Sequence, residues 1–165
     1  CIITTYTRMN VNSFMTKAKI CGNYVNSVFA KTEAISQGFD EAIMLDAEGY
    51  VSEGSGENIF IIKDGKVKTP PLTSILEGIT RKCVLDIAED ENISIKEQRF
   101  TRDELYTSDE IFLTGTAAEI TPIREIDGRT IGTGSPGEIT KLFQKKYFDI
   151  IKGKDDKYES WLEYI

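Results

Sequence analysis

Residues 53–69 read EGSGENIFIIKDGKVKT, and the reading of this stretch decides the fold. NIFIIK and KVKT are short β-type runs, and Asp64-Gly65 stands between them. A two-residue connection of this kind predicts a β-hairpin with a type I′ turn, because that turn needs positive φ at both central residues. Ahead of the hairpin, Glu53 and Glu57 lie on a glycine-rich bend. Surface charge around a turn is the ordinary reading for either carboxylate, since Glu is rarely buried. The alternative is that one of them points inward and pairs with a cation.

Working outward, EAIMLDA and YVSE read as strands flanking a turn at Glu48-Gly49, and CIITTYT at the start reads as a further strand. Residues 23–37 put Val25, Val28, Phe29 and Ile35 near one face and stop at Gly38, which predicts a helix. Residues 78–92 predict a second helix and ISIKEQ a strand. Thr101 with Glu104 three residues later is a capping box on a short helix. EIFLTG, AEITPIREI and RTIG are strands, with a turn at Asp127-Gly128. Residues 135–153 give the clearest helix: Ser135 caps it, Pro136 is its first residue, Glu138 completes the box and Gly153 ends it. Its apolar residues Ile139, Leu142, Phe143, Ile150 and Ile151 recur at helical spacing. The tail KDDKYESWLEYI is charged, with an apolar end expected to dock on the body. Strands and helices mix without strict alternation. The expected class is α/β in the broad sense, a curved, pseudo-barrel mixed sheet with outer helices.

The 165 residues are the size of one domain and carry a net charge of 20 − 27 = −7. That balance argues against nucleic acid or an anionic membrane as the main partner. No apolar run is long enough to span a bilayer. Three cysteines without metal-type spacing read as reduced thiols, which suits the cytoplasm. The sequence contains no histidine. Ser-His and Cys-His nucleophile pairs and His-ligated metals are therefore excluded, no metal is expected, and acid–base work falls to Lys, Glu, Asp or Tyr.

Three further stretches carry possible chemistry. LEGITRK opens a helix at Gly78-Ile79-Thr80, whose free N–H groups attract an anion, although a plain N-cap is the commoner reading. LTGTAAEITP ends a strand in Thr114-Gly115-Thr116, where small residues bare the backbone for a phosphate or carboxylate; a tight turn is the plainer alternative. TKAKICGNY holds Lys17 and Lys19. An exposed lysine is protonated near neutral pH and inert. Beside a carbonyl, with its pKa lowered by desolvation, it condenses to a Schiff base.

Together these give an amine, a phenol, a carboxylate and a phosphate cradle. The chain resembles the large, C-terminal domain of fold-type IV (class IV) pyridoxal-phosphate aminotransferases, most closely the branched-chain amino acid enzymes. EGSGENIF, VKT and LEGITR carry the family signature, with AKICGNY and TGTAAEITPI in the expected order. The resemblance implies that Lys19 forms the Schiff base with pyridoxal 5′-phosphate and shuttles the substrate Cα proton. It implies that Tyr24 bonds the cofactor's phenolic oxygen and that Glu53 pairs with the pyridine nitrogen. Leu76 would pack near the ring, Ile79, Thr80, Gly115 and Thr116 would bind phosphate, and Thr116-Ala117 would receive the substrate carboxylate. Lys17 is left as a surface charge. The implied reaction moves the amino group of Leu, Ile or Val to 2-oxoglutarate, in a homodimer or higher homo-oligomer. Residues 1–165 would be the cofactor-binding domain of a longer chain whose smaller N-terminal domain is absent, and inactive alone. D-amino acid aminotransferase and aminodeoxychorismate lyase share the lysine and glutamate and stay open as alternatives, as does a non-catalytic binding or oligomerisation domain.

Overall fold

The hairpin forms as its sequence dictates. In the computed structural model, which describes residues 1–163, Lys63 pairs with Lys66 across Asp64 and Gly65, whose φ angles are 48° and 70°. These strands, β4 (Asn58–Lys63) and β5 (Lys66–Thr69), begin the largest sheet. It runs β6-β5-β4-β7-β8, with β6 at Ile95–Glu97, β7 at Glu110–Gly115 and β8 at Glu119–Pro122. The β5–β6 pair is parallel and the other pairs are antiparallel. A second sheet joins β1 (Ile2–Ile3), β2 (Ala42–Leu45) and β3 (Val51–Gly54). A short ribbon, β9 (Glu125–Ile126) and β10 (Arg129–Thr130), turns at Asp127-Gly128. The mixed α/β class holds, but among the described residues the strands make three sheets and no closed barrel.

Alternation along β4 and β7 explains the core. Ile59, Ile61, Ile111 and Leu113 face one way and pack on Ile43, Val51 and Phe100. Phe60, Ile62 and Phe112 face the other way, beneath α2 (Ile79–Asp90) and α4 (Glu138–Ile151). Phe60 and Phe112 stack with centroids 4.9 Å apart, and Phe143 of α4 sits 5.7 Å from Phe112. Such pairs add about 0.5–1.5 kcal/mol each beyond the area they bury.

Two expectations are corrected. In α1 (Val25–Ser36) the residues Val25, Val28, Phe29 and Ile35 lie at the surface, between 50% and 61% exposed. Ser27, Ala30 and Ala34 face inward instead, against Ala42 and Met44. Small side chains allow the helix to approach β2 closely, so its larger residues point outward, where Phe29 stacks on Tyr6 at 5.6 Å. The start of α4 is also different. Ser135 makes no cap, the helix begins at Glu138, and the carboxylate of Glu110 on β7 accepts from Ile139 N–H and Thr140 N–H at 3.3 and 2.8 Å. A Cβ on Gly137 would overlap the Glu110 carboxylate, so glycine is what admits this distant cap.

The Thr101–Glu104 box does form at α3 (Arg102–Tyr106). The opening strand is shorter than CIITTYT, covering Ile2 and Ile3 alone. In the tail, Tyr158 is buried and its hydroxyl bonds Asp90, while Trp161 packs edge-on to it at 4.4 Å. The last two residues of the expected docking end lie outside the described residues. Among the described residues, no helix is long and apolar enough to cross a membrane.

Candidate active site

Four segments meet at one cavity of about 220 Å³: the lysine loop, the β3–β4 bend, the α2 N-terminus and the β7–β8 turn. Its lining includes Lys19, Tyr24, Glu53, Leu76, Ile79, Thr80, Gly115 and Thr116, all expected from the sequence. Lys17 lines it too, so it is more than a remote surface charge. Ala117 is exposed and outside the lining.

The lysine loop is held from below. Asn23, buried in the 3₁₀ turn Cys21–Tyr24, donates its amide to Met15 O at 3.0 Å and Ala18 O at 2.9 Å. Those bonds fix the backbone on either side of Lys17 and just before Lys19. Both lysine side chains remain exposed at the cavity. The Tyr24 hydroxyl is pushed above its ordinary pKa by burial and by the charge of Glu53, with Arg8 opposing. It is therefore a neutral donor near pH 7.

Of the two carboxylates on the bend, Glu53 is the buried one, at 7% exposure. Its Oε1 makes an ion pair with Arg8 Nε, and its Oε2 accepts from Leu76 N–H at 3.1 Å and Asn58 Nδ2 at 3.3 Å. Burial raises Glu53 to about 7 against the pull of Arg8 and the Leu76 N–H. A carboxyl group in that range exchanges a proton with a weakly basic partner at neutral pH. Glu57 is half-buried, also lines the cavity, and accepts from Gly56 N–H at 3.0 Å. Burial raises it as well, with the charge of Glu41 adding to the rise.

The anion cradle has two halves. Gly78 caps α2 with no side-chain bond, which leaves the first-turn N–H groups without a side-chain acceptor beside buried Thr80. On the same cavity, Thr114 is 1% exposed and its Oγ1 has no hydrogen-bond partner among the described residues. A buried hydroxyl without a partner is costly.

Arg8 and Asn58 are the residues the sequence reading missed. Arg8 is a cation within TTYTRMN, 6% exposed, and a buried cation demands a partner. That demand was the available signal. Asn58 opens an apolar strand, where a polar side chain has to be satisfied by something close.

Lys19, Tyr24 and the buried Glu53 carboxylate thus line one cavity with the N-terminus of α2 and the β7–β8 turn. The amino-transferase class IV family model matches residues 1–126. The branched-chain-amino-acid aminotransferase of Pseudomonas aeruginosa is 56% identical over 96% of this chain and 52% of its own length. That of Escherichia coli K12 is 42% identical over 99% and 53%. Among solved structures, the branched-chain amino acid aminotransferase of Thermobaculum terrenum in its PLP-form superposes with a TM-score of 0.95. It is 40% identical, with 98% of this chain and 53% of that one covered. The chain belongs to the class IV aminotransferases. It spans about half the length of the curated relatives it matches.

Proposed function

We propose that these residues are the cofactor-carrying domain of a pyridoxal-phosphate-dependent aminotransferase acting on branched-chain L-amino acids, with 2-oxoglutarate as amino acceptor. The observation that carries it is the single cavity shared by Lys19, Tyr24, Glu53 and the α2 N-terminus, whose cap Gly78 offers no side-chain acceptor. The residues fit the cofactor. The helix start and the unpartnered Thr114 hydroxyl supply donors for a phosphate, and buried Glu53 supplies a partner for a pyridinium proton. The bound cofactor supplies a carbonyl for amine exchange and an electron sink.

The protein groups then have separate tasks. Lys19 Nζ is the amine that would hold the cofactor and, once released by the substrate amine, carry the proton between substrate Cα and the cofactor carbon C4′. Tyr24 donates to the phenolic oxygen. Glu53 holds the proton on the pyridine nitrogen, and Arg8 supports its charged form. Leu76 lies against the ring. Ile79, Thr80, Gly115 and Thr116 would bind phosphate, and the backbone at Thr116-Ala117, with Ala117 itself beyond the cavity lining, would receive the substrate carboxylate. The relatives' greater length supports a second domain that completes the site, and a homo-oligomeric full-length protein is part of the same reading. The reading implies a cytoplasmic enzyme, in keeping with three free thiols.

The test is an assay of the full-length chain with L-valine and 2-oxoglutarate. Glutamate formation is expected. Turnover of D-alanine or aminodeoxychorismate without turnover of L-valine would overturn the substrate assignment in favour of those relatives' chemistry.

A further inference from the structure

We infer that Asn58 is a positioning residue that ties the carboxylate end of the cavity to its anion cradle. The inference rests on the cofactor reading above. Asn58, 4% exposed at the start of β4, donates Nδ2 to Leu76 O at 2.9 Å and to Glu53 Oε2 at 3.3 Å. Leu76 N–H donates to the same Glu53 oxygen at 3.1 Å. Three residues are thus closed into a ring by three hydrogen bonds, two of them to one carboxylate oxygen. The other side of the amide faces Gly78, where an added Cβ would overlap Asn58 Oδ1. Gly78 is the residue that caps α2, and its φ of −76° is open to any residue. Glycine is needed there for the close approach of Asn58 and for no backbone reason.

Asn58 therefore fixes two things at once. Its Nδ2 orients the carboxylate that meets the pyridine nitrogen. Its contact with residues 76–78 sets where the α2 N-terminus, and so the phosphate, stands relative to that carboxylate. A rigid cofactor held at both ends is sensitive to this spacing.

The test measures pyridoxal phosphate binding to the full-length apoprotein by titration, alongside the melting temperature of each apoprotein. Asn58→Ala and Gly78→Ala are each expected to weaken binding about tenfold or more. The double variant should bind no worse than the weaker single one, because Gly78→Ala acts by displacing Asn58. Asn58→Asp keeps the packing and covers the case of a poorly folding Asn58→Ala. The carboxyl group introduced by Asn58→Asp can, when protonated, donate to Glu53 where Nδ2 did. Binding by that variant should recover toward wild type as pH falls and weaken as it rises. Wild-type affinity in Asn58→Ala, losses that multiply in the double variant, or a pH-independent Asn58→Asp would each overturn the inference and leave the function reading standing. Failure of the wild-type protein to bind the cofactor would overturn both.

Discussion

Arg8 and Glu53 form a buried ion pair although 45 positions separate them in the chain. Arg8 is placed by its N–H, which donates to Leu45 O at 2.8 Å at the end of β2, while Glu53 sits on neighbouring β3. The second sheet thus carries Glu53, and the five-stranded sheet carries Asn58 and Thr114 to the same cavity.

Above about pH 7, where Glu53 is ionised, removing Arg8 leaves a buried carboxylate without its partner. Arg8→Gln should destabilise the fold by about 3 kcal/mol, the usual scale for breaking one side of a buried pair. Urea unfolding of the two proteins checks this. Adding Glu53→Gln should recover part of the loss, since no orphaned charge then remains.

Glu53 also predicts a pH dependence. Its pKa is raised from an ordinary 4.5 to about 7, so between those values the folded state holds a proton that the unfolded chain has released. Glu53's contribution to stability is full below about 4.5 and is lost as pH rises through about 7. The loss is on the order of 3 kcal/mol. Melting of the cofactor-free protein across this range should show the decline, and Glu53→Gln should remove that component.

Asn23 supports the lysine loop through two carbonyl bonds. Asn23→Ala should cost about 1–3 kcal/mol for the lost bonds and the orphaned groups. The loosening should be local. Hydrogen exchange should rise over residues 15–20 while β4 and β7 keep their protection.

The α4 cap offers a contrast between a remote and a local residue. Glu110→Ala should lower stability by about 1–2 kcal/mol, as a lost N-cap does. Ser135→Ala should fall within about 0.5 kcal/mol of wild type. Chemical denaturation of both variants decides it, and the opposite order would restore Ser135 as the cap.

The Asp64-Gly65 and Asp127-Gly128 turns are legible in the sequence because a type I′ turn makes a purely local demand on φ. Lys19, Tyr24 and the Gly78-Ile79-Thr80 helix start are legible through their motif spacing and converge on one cavity. What escapes depends on distant partners. Arg8 and Asn58 acquire their meaning when β2, β3 and β4 come together, and Glu110 reaches α4 from another strand. The inward face of α1 escapes a reading that equates apolar size with burial, because close packing on β2 selects Ala30 and Ala34. Lys17, a bystander by its motif position, reaches the same cavity as Lys19.

The central claim is that Lys19 is the amine that holds the cofactor. Borohydride reduction of the full-length protein loaded with pyridoxal phosphate, followed by peptide mass spectrometry, tests it directly. A phosphopyridoxyl group is expected on Lys19, and none in Lys19→Ala. A label on Lys17, or no fixed label at all, would contradict it.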